Sequence, residues 1–391
     1  MKKLLYVGGA HSDIPLIQAA KSIGLYVITT GNNENDLGHQ YSDEYYKSDY
    51  SDKEAILDLA KKLRIDYLCP CCNDFSILTC SYVAERLGLP GFDSFDVTQI
   101  VHHKDKFREF CHKYGFPVPK AMSFNNVDEA IKSLNNFNFP IIVKPIDLTG
   151  GKGVSRINNE YEAYDLIKKA FTISKQKKIV IEEFIEGANH GLSTFIINKK
   201  VVFYFYDNEH YYINKYLVSG ASCPGSVPHE IIEKLCKIYE KMAELLNLKN
   251  GIFHTQFILK DNLPYITEIC RRPPGDLYVK LVEYATGIQY SHYIVKAFCD
   301  MDLNGLVHKD INGFYTRHCI MTNANGIFKQ VKILPEVKNN IFDIIFLLKK
   351  GDIINDYLTQ KAGIAFLKYQ SMDEMIQKLT HLNEFIKIEF K

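Results

Sequence analysis

Apolar and polar positions along this chain fall into blocks whose period switches between two and about 3.6, and the order of those blocks predicts an α/β protein. Residues 3–8 carry Leu4, Leu5, Tyr6 and Val7 in one unbroken apolar run, which predicts a buried strand with Gly8, Gly9 and Ala10 as its exit turn. Apolar residues recur at helical spacing over 14–23, and residues 26–30 predict a second strand. This strand–turn–helix–strand opening is that of a doubly wound parallel sheet. Helices at 52–63 and 75–87 around a strand at 67–69 continue it, and Pro90 with Gly91 closes the unit, so a first domain is placed at 1–103.

The texture then changes. A helix begins at Lys104, groups Phe107, Phe110 and Cys111 on one face and stops at Gly115, after which Pro117 and Pro119 stiffen an extended segment. The β-branched run 141–143 ends in Lys144, Pro145 stops the strand, and a turn rich in glycine follows at Gly150, Gly151 and Gly153. A helix is predicted at about 160–171, an apolar strand running into Glu182 and Glu183, strands at 192–197 and 201–206, and an amphipathic helix at 230–246. Residues 251–258 and 264–270 read as two strands of a hairpin. Their alternation puts His254 and Gln256 on one face and Ile266, Glu268 and Cys270 on one face, so Gln256 and Glu268 are expected side by side. Arg271 and Arg272 follow at the strand exit, then a helix at 277–284. From about 311 the pattern is strand-like again, at 313–320, 326–328, 344–348 and 363–367, and a last helix is predicted near 372–386 on Met375, Leu379, Leu382 and Ile386. A second domain is therefore placed at 104–310 and a C-terminal β-rich segment at 311–391.

Composition narrows this picture without redirecting it. A chain of 391 residues that is 46% hydrophobic and 24% charged is an ordinary globular protein, too long for one core. A formal net charge of +1 supplies no broad basic field, which argues against nucleic acid or a membrane surface as partner. The ten cysteines lack framework or zinc-site spacing and read as buried thiols of a reducing compartment. The basic start at Lys2 and Lys3 leads into an apolar run too short for a signal peptide, so a cytoplasmic protein is expected.

The candidate chemistry centres on anions. A strand holds Lys144 rigidly, and glycines let backbone N–H groups approach a phosphate, with Thr149 and Lys152 adding a hydroxyl and a second positive charge. An ordinary glycine-rich β-turn is the other reading of that stretch taken alone. Arg271 and Arg272 look placed for anionic oxygens, with plain surface solvation as the other reading of the pair taken alone. The full Gly-x-Gly-x-x-Gly is missing after the first strand, where His11, Ser12 and Asp13 follow the glycine pair, so a dinucleotide oxidoreductase has little support.

With these pieces in order, the chain resembles the ATP-grasp family, which includes biotin carboxylase, carbamoyl phosphate synthetase and D-alanine–D-alanine ligase. The resemblance implies a Rossmann-like pre-ATP-grasp domain at 1–103, an ATP-grasp domain of two α+β subdomains with the nucleotide between them at 104–310, and a C-terminal segment packing on it. Lys106 and Lys144 match the family's two phosphate-binding lysines, and Gly150 to Gly153 its flexible loop. Glu182, Glu183, Phe184 and Ile185 look like the segment that meets adenine, and Asn189 or His190 stands where an acid usually meets the ribose. Gln256 and Glu268 match the two metal-binding positions, the first an amide in place of a carboxylate, and Cys270 replaces an asparagine. Arg272, with Arg271 beside it, matches the arginine that steadies an acyl phosphate, while Lys215 and His254 are candidate phosphate or acceptor contacts. The resemblance implies ATP and Mg²⁺ (or Mn²⁺) as cofactors, small carboxylate and amine substrates, and a ligase that makes and uses an acyl phosphate. It also admits a homodimer. Gln256 and Cys270 motivate a second reading, a catalytically weakened nucleotide-binding or regulatory protein.

Overall fold

The computed structural model describes residues 1–148 and 151–391. At the N-terminus β1 (Lys3–Val7), β2 (Tyr26–Gly31), β3 (Glu44–Lys47) and β4 (Tyr67–Pro70) form a wholly parallel sheet in the order β3-β2-β1-β4. Leu4, Leu5, Tyr6 and Val7 are all fully buried, as a central parallel strand covered on both faces requires. Buried Asp13 ties the strand exits together, accepting bonds from Tyr6 Oη (3.1 Å), Ala10 N (2.8 Å) and Cys72 N (3.0 Å). The helix Asp74–Leu87 then starts under an Asn73 cap and stops at Gly88, whose φ of 64° is the left-handed conformation that ends helices.

A small antiparallel lobe follows. It contains β5 (Ala121–Phe124), β6 (Ile141–Pro145), β7 (Ser155–Ile157) and β8 (Ile179–Glu183) in the order β5-β8-β6-β7. One face carries its own core, in which Ile141, Val143 and Ile181 pack on Ala163 and Ile167 of the helix Glu160–Ile173.

The centre of the molecule is an antiparallel sheet of eight strands. β9 (Ala188–Ile197), β10 (Lys200–His210), β11 (Gly220–Cys223), β12 (Gly251–Lys260) and β13 (Leu263–Cys270) are joined by β14 (Phe314–Ile320), β16 (Ile341–Phe346) and β18 (Gly363–Tyr369) in the order β13-β12-β9-β10-β11-β14-β18-β16. The residues after 310 thus extend the same sheet, through the β11–β14 pairing. The helix His229–Leu245 buries Ile232, Leu235, Tyr239 and Met242 against Leu192, Phe253 and Phe257. Helices Tyr278–Thr286 and Tyr290–Phe298 belong to a second core, which joins Phe195, Phe203 and Phe205 to the N-terminal sheet.

Near the C-terminus β15 (Gly326–Ile333), β17 (Ile353–Ile354) and β19 (Ile386–Phe390) make a three-stranded sheet. Here the predicted helix over 372–386 is corrected to two helices, Met372–Leu379 and Leu382–Phe385, followed by a strand. Ile386, Ile388 and Phe390 alternate with Lys387 and Glu389, and that period of two pairs with β15 where continued helix would find no partner. The pattern of the sequence did not single out the helices Phe95–His102 and Tyr290–Phe298 or the strand β11. All ten cysteines are unpaired, eight of them buried. Among the described residues no helix is long and apolar enough to cross a membrane.

Candidate active site

A cleft of 670 Å³ separates the small lobe from the β12–β13 edge of the large sheet. Its lobe wall follows from alternation along β6: Ile141 and Val143 turn into the lobe core, which leaves Ile142 and Lys144 facing the cleft. Ile142 is registered with Glu182 on β8, so Lys144 lies diagonally across from that acid and donates to its Oε2 at 2.6 Å. Arg108 Nε approaches the other oxygen at 2.9 Å. Burial pushes the Glu182 carboxyl up, but Arg108 and Lys144 together outweigh it and hold the group at about 2. Burial lowers the pKa of Lys144, with Glu182 opposing the shift.

Glu182 therefore holds the lysine in place, and its carboxylate is committed before any base could meet it. Glu183 is turned out of the cleft, its Oε1 accepting from Lys120 N at 2.9 Å. Phe184 and Ile185 do line the cleft, and the guanidinium of Arg156 lies 4.2 Å from the Phe184 ring centre. Gly151 also lines it, with φ of 72° and the Tyr216 carbonyl oxygen 2.5 Å from where a Cβ would stand; both facts demand glycine. Gly153, at φ of 73°, shares the left-handed backbone conformation. Lys152 is exposed and outside the cleft wall, and Thr149 and Gly150 lie outside the described residues.

The first of the expected phosphate lysines needs correction. Lys106 is exposed and bonded to Gln99 Oε1 at 2.6 Å, whereas Lys104 borders the cleft, its Nζ 3.4 Å from the Leu148 carbonyl oxygen. Residues two apart on a helix point to opposite sides, so when Lys104 faces the cleft Lys106 cannot. The same logic on a strand corrects His190. Asn189 lines the cleft, while His190 is buried on the far face of β9, with Nδ1 3.3 Å from the Asp207 carbonyl oxygen and its ring packed on Phe257.

At the inner end of the cleft the hairpin does what alternation predicts: Gln256 and Glu268 are direct cross-strand partners. Gln256 donates Nε2 to Glu209 Oε1 at 2.6 Å, so its amide oxygen points elsewhere. Glu209 also accepts from Tyr211 Oη at 2.7 Å. Burial pushes the Cys270 thiol up to about 11, so it stays protonated at neutral pH and is a poor ligand for a hard cation. Among the described residues no three His, Cys, Asp or Glu side chains converge to cage an ion. A carboxylate and an amide oxygen at the inner end of such a cleft still suit Mg²⁺, which takes one or two protein carboxylates and completes its shell with water and substrate phosphates.

Beyond this pair lies a second cavity of 270 Å³, sharing Gly151, Tyr216, Gln256 and Glu268 with the first. Arg272 borders it and grips Asp74 with two bonds, Nε to Oδ1 at 2.7 Å and Nη2 to Oδ2 at 3.0 Å. Burial works against the charge on Asp74, yet Arg272 and His102 keep its carboxyl well below the usual range. Arg271 is corrected from a catalytic to a structural residue. It is buried outside both cavities and spends its donors on Asp93 Oδ2 (2.9 Å), the Ile252 carbonyl (2.6 Å) and the Lys249 carbonyl (2.6 Å). Lys215 lines the outer cleft and His254 the inner cavity, where burial holds its ring neutral with a value near 3.

Sequence reasoning missed Asp207, Glu209, Tyr278 and Arg317 in the inner wall. A signal existed. Asp207 and Glu209 stand two apart on a predicted strand's continuation, and Arg317 interrupts an apolar strand; charges in such positions are retained for a reason.

Two α+β layers closing on a lysine-lined cleft, with a Glu–Gln hairpin at its inner end, define a protein that handles nucleotide phosphates. Residues 102–276 match the ATP-grasp (A) domain of phosphoribosylglycinamide synthetase. The formate-dependent phosphoribosylglycinamide formyltransferase of Prochlorococcus marinus is 25% identical over 287 residues, covering 72% of each chain. The carbamoyl phosphate synthase large chain of Clostridium acetobutylicum is 21% identical over 340 residues, and this chain spans 31% of its length. The crystal structure of phosphoribosylglycinamide synthetase from Anaerococcus prevotii superposes with a TM-score of 0.79 at 26% identity, covering 100% of both chains. Residues 102–276 thus match an ATP-grasp domain. Those relatives are named for synthetase, synthase and formyltransferase activities.

Proposed function

We propose that this protein uses ATP to activate a small carboxylate and join it to an amine, with the nucleotide in the outer cleft and the carboxylate in the inner cavity. The observation that carries this reading is the continuity of the two spaces through Gln256 and Glu268. A γ-phosphoryl group held at that junction would face an acceptor lying beside Arg272. The carboxylate oxygen forms a bond to the γ-phosphorus as the bond to the β-phosphate oxygen breaks, leaving ADP. The amine nitrogen then attacks the acyl carbon, loses a proton, and phosphate departs.

Phosphoryl transfer asks a protein mainly for positioning and charge neutralisation. Lys144, steadied by Glu182, and Lys104 supply fixed positive charge, and the backbone around Gly151 can approach the phosphates closely. Phe184, Ile185 and Ile258 offer an apolar slot for the base, with Asn189 at its edge. Arg272, oriented by Asp74, is set beside the acceptor to steady the oxyanion of the addition step. Lys215 stands at the cleft wall for the phosphates. Glu268 and the Gln256 amide oxygen would hold Mg²⁺ (or Mn²⁺), which when bound neutralises phosphate charge.

The test is phosphate release from Mg²⁺-ATP with pooled small carboxylates and amines. Turnover that needs both pools is expected, and Lys144→Ala should abolish it together with nucleotide binding. Tight ATP binding without turnover in any pool would instead establish a nucleotide-binding protein that has lost catalysis.

A further inference from the structure

Three buried side chains around the inner cavity each leave one polar atom without a hydrogen-bond partner: Asp207 Oδ1, His254 Nδ1 and Arg317 Nε. Their exposures are 0%, 8% and 3%, so water in bulk does not serve them. Unpaired buried polar atoms are costly, and three around one space point to an occupant that completes them. The Asp207 and Arg317 side chains are each anchored through another atom. Asp207 Oδ2 accepts from Tyr278 Oη, and Gly191 makes room for that carboxyl, since a Cβ there would stand 2.8 Å from Oδ2. Arg317 Nη1 donates to the Asp276 carbonyl at 3.2 Å, while the Asp276 carboxylate is held by Lys361 at 2.6 Å.

What is left over has two signs. Asp74 is matched by Arg272 and Asp276 by Lys361, with Arg317 Nη1 3.9 Å from Asp276 Oδ2, which leaves Arg317 Nε, Asp207 and Glu209 on the cavity wall. One unpaired donor belongs to a guanidinium and one unpaired acceptor to a carboxyl beside a second carboxylate. We infer that the inner cavity binds an α-amino acid, its ammonium on Asp207 Oδ1 beside Glu209 and its carboxylate on Arg317 Nε, open toward Glu268. Burial, with Glu209 adding to it, raises the Asp207 pKa to about 8, the state expected of a carboxyl waiting for a cation. Leu217, Val218, Ala221 and Ile269 give an apolar wall for the side chain. The 270 Å³ volume matches roughly nine waters at about 30 Å³ each, enough for an amino acid of modest size.

This inference rests on the ligase reading for the role of the bound carboxylate, though not for binding itself. The test is thermal unfolding of the full chain with Mg²⁺-ADP, adding a pool of the common α-amino acids or a pool of their des-amino acids, such as propionate and 3-phenylpropionate. Amino acids should raise Tm by roughly 2–4 °C and des-amino acids should not. Asp207→Asn should lose the rise. An equal rise with both pools, or none with either, overturns the inference in wild-type protein without recourse to any variant. Phosphate release measured alongside separates the two claims. A rise without phosphate release overturns the ligase and leaves the amino-acid site; phosphate release with des-amino acids alone overturns the site and leaves the ligase.

Discussion

Lys104 and Lys106 differ by one polar position in the sequence and by a whole helix face in the protein. Lys104→Ala should weaken ATP binding about tenfold, the loss of one charge-assisted contact of about 1.4 kcal/mol, while Lys106→Ala should leave it within about twofold. Calorimetric titration of both variants decides it. Asp207 makes a second residue-scale prediction. Its folded value of about 8 lies above the ordinary 3.8, so its proton stabilises the fold fully below about pH 4, and that contribution is lost as pH rises toward 8. The groups facing it are Tyr278, Glu209 and Arg317, and Asp207→Asn cannot ionise among them. Tm should therefore fall more steeply for wild type than for Asp207→Asn between about pH 5 and pH 9 in the absence of ligand.

At the scale of elements, the β12–β13 hairpin was the most legible part of the site. A short connection and strict alternation fix which side chains meet, and Gln256 does meet Glu268. Lys144 was legible for the same reason, because β6 alternates cleanly between core and cleft. Helix faces were harder to read: nothing local in Lys104-Asp105-Lys106 says which lysine turns inward until Phe107, Arg108 and Cys111 are packed. Arg271 shows the other limit. Its partners Asp93 and Ile252 lie far off in sequence, and a buried clamp between elements looks, in one dimension, like a free cation beside Arg272. Arg271→Met should cost about 3–5 kcal/mol by stranding Asp93, seen as a lowered denaturant midpoint. ATP affinity of the folded protein should stay within about twofold.

Across the whole molecule the cores divide unevenly. The N-terminal parallel sheet and part of the central sheet share one apolar core, whereas the lobe of β5 to β8 has its own. Residues Leu4 to Val7 and Phe203 to Phe205 should then lose amide protection together, in the global transition. The lobe from Ala121 to Glu183 should exchange through a cheaper opening of its own, and a nucleotide in the cleft should slow it. Native-state hydrogen exchange with and without ATP measures both. Equal protection in the two regions would mean that the lobe unfolds only with the rest.

The two cavities also differ in where their walls come from along the chain. Every residue lining the outer cleft falls between Lys104 and Glu268, inside the stretch 102–276 that matches a relative's ATP-grasp domain. The inner cavity borrows Cys72, Asn73 and Asp74 from the turn after β4 and the start of the following helix, and Arg317 from the extension of the large sheet. The outer cleft is thus built from one contiguous stretch, and the inner cavity from that stretch completed by residues on both sides of it. Exchange of those flanks between relatives is a route by which one ATP-using engine acquires new substrates without a change to any residue of its nucleotide cleft.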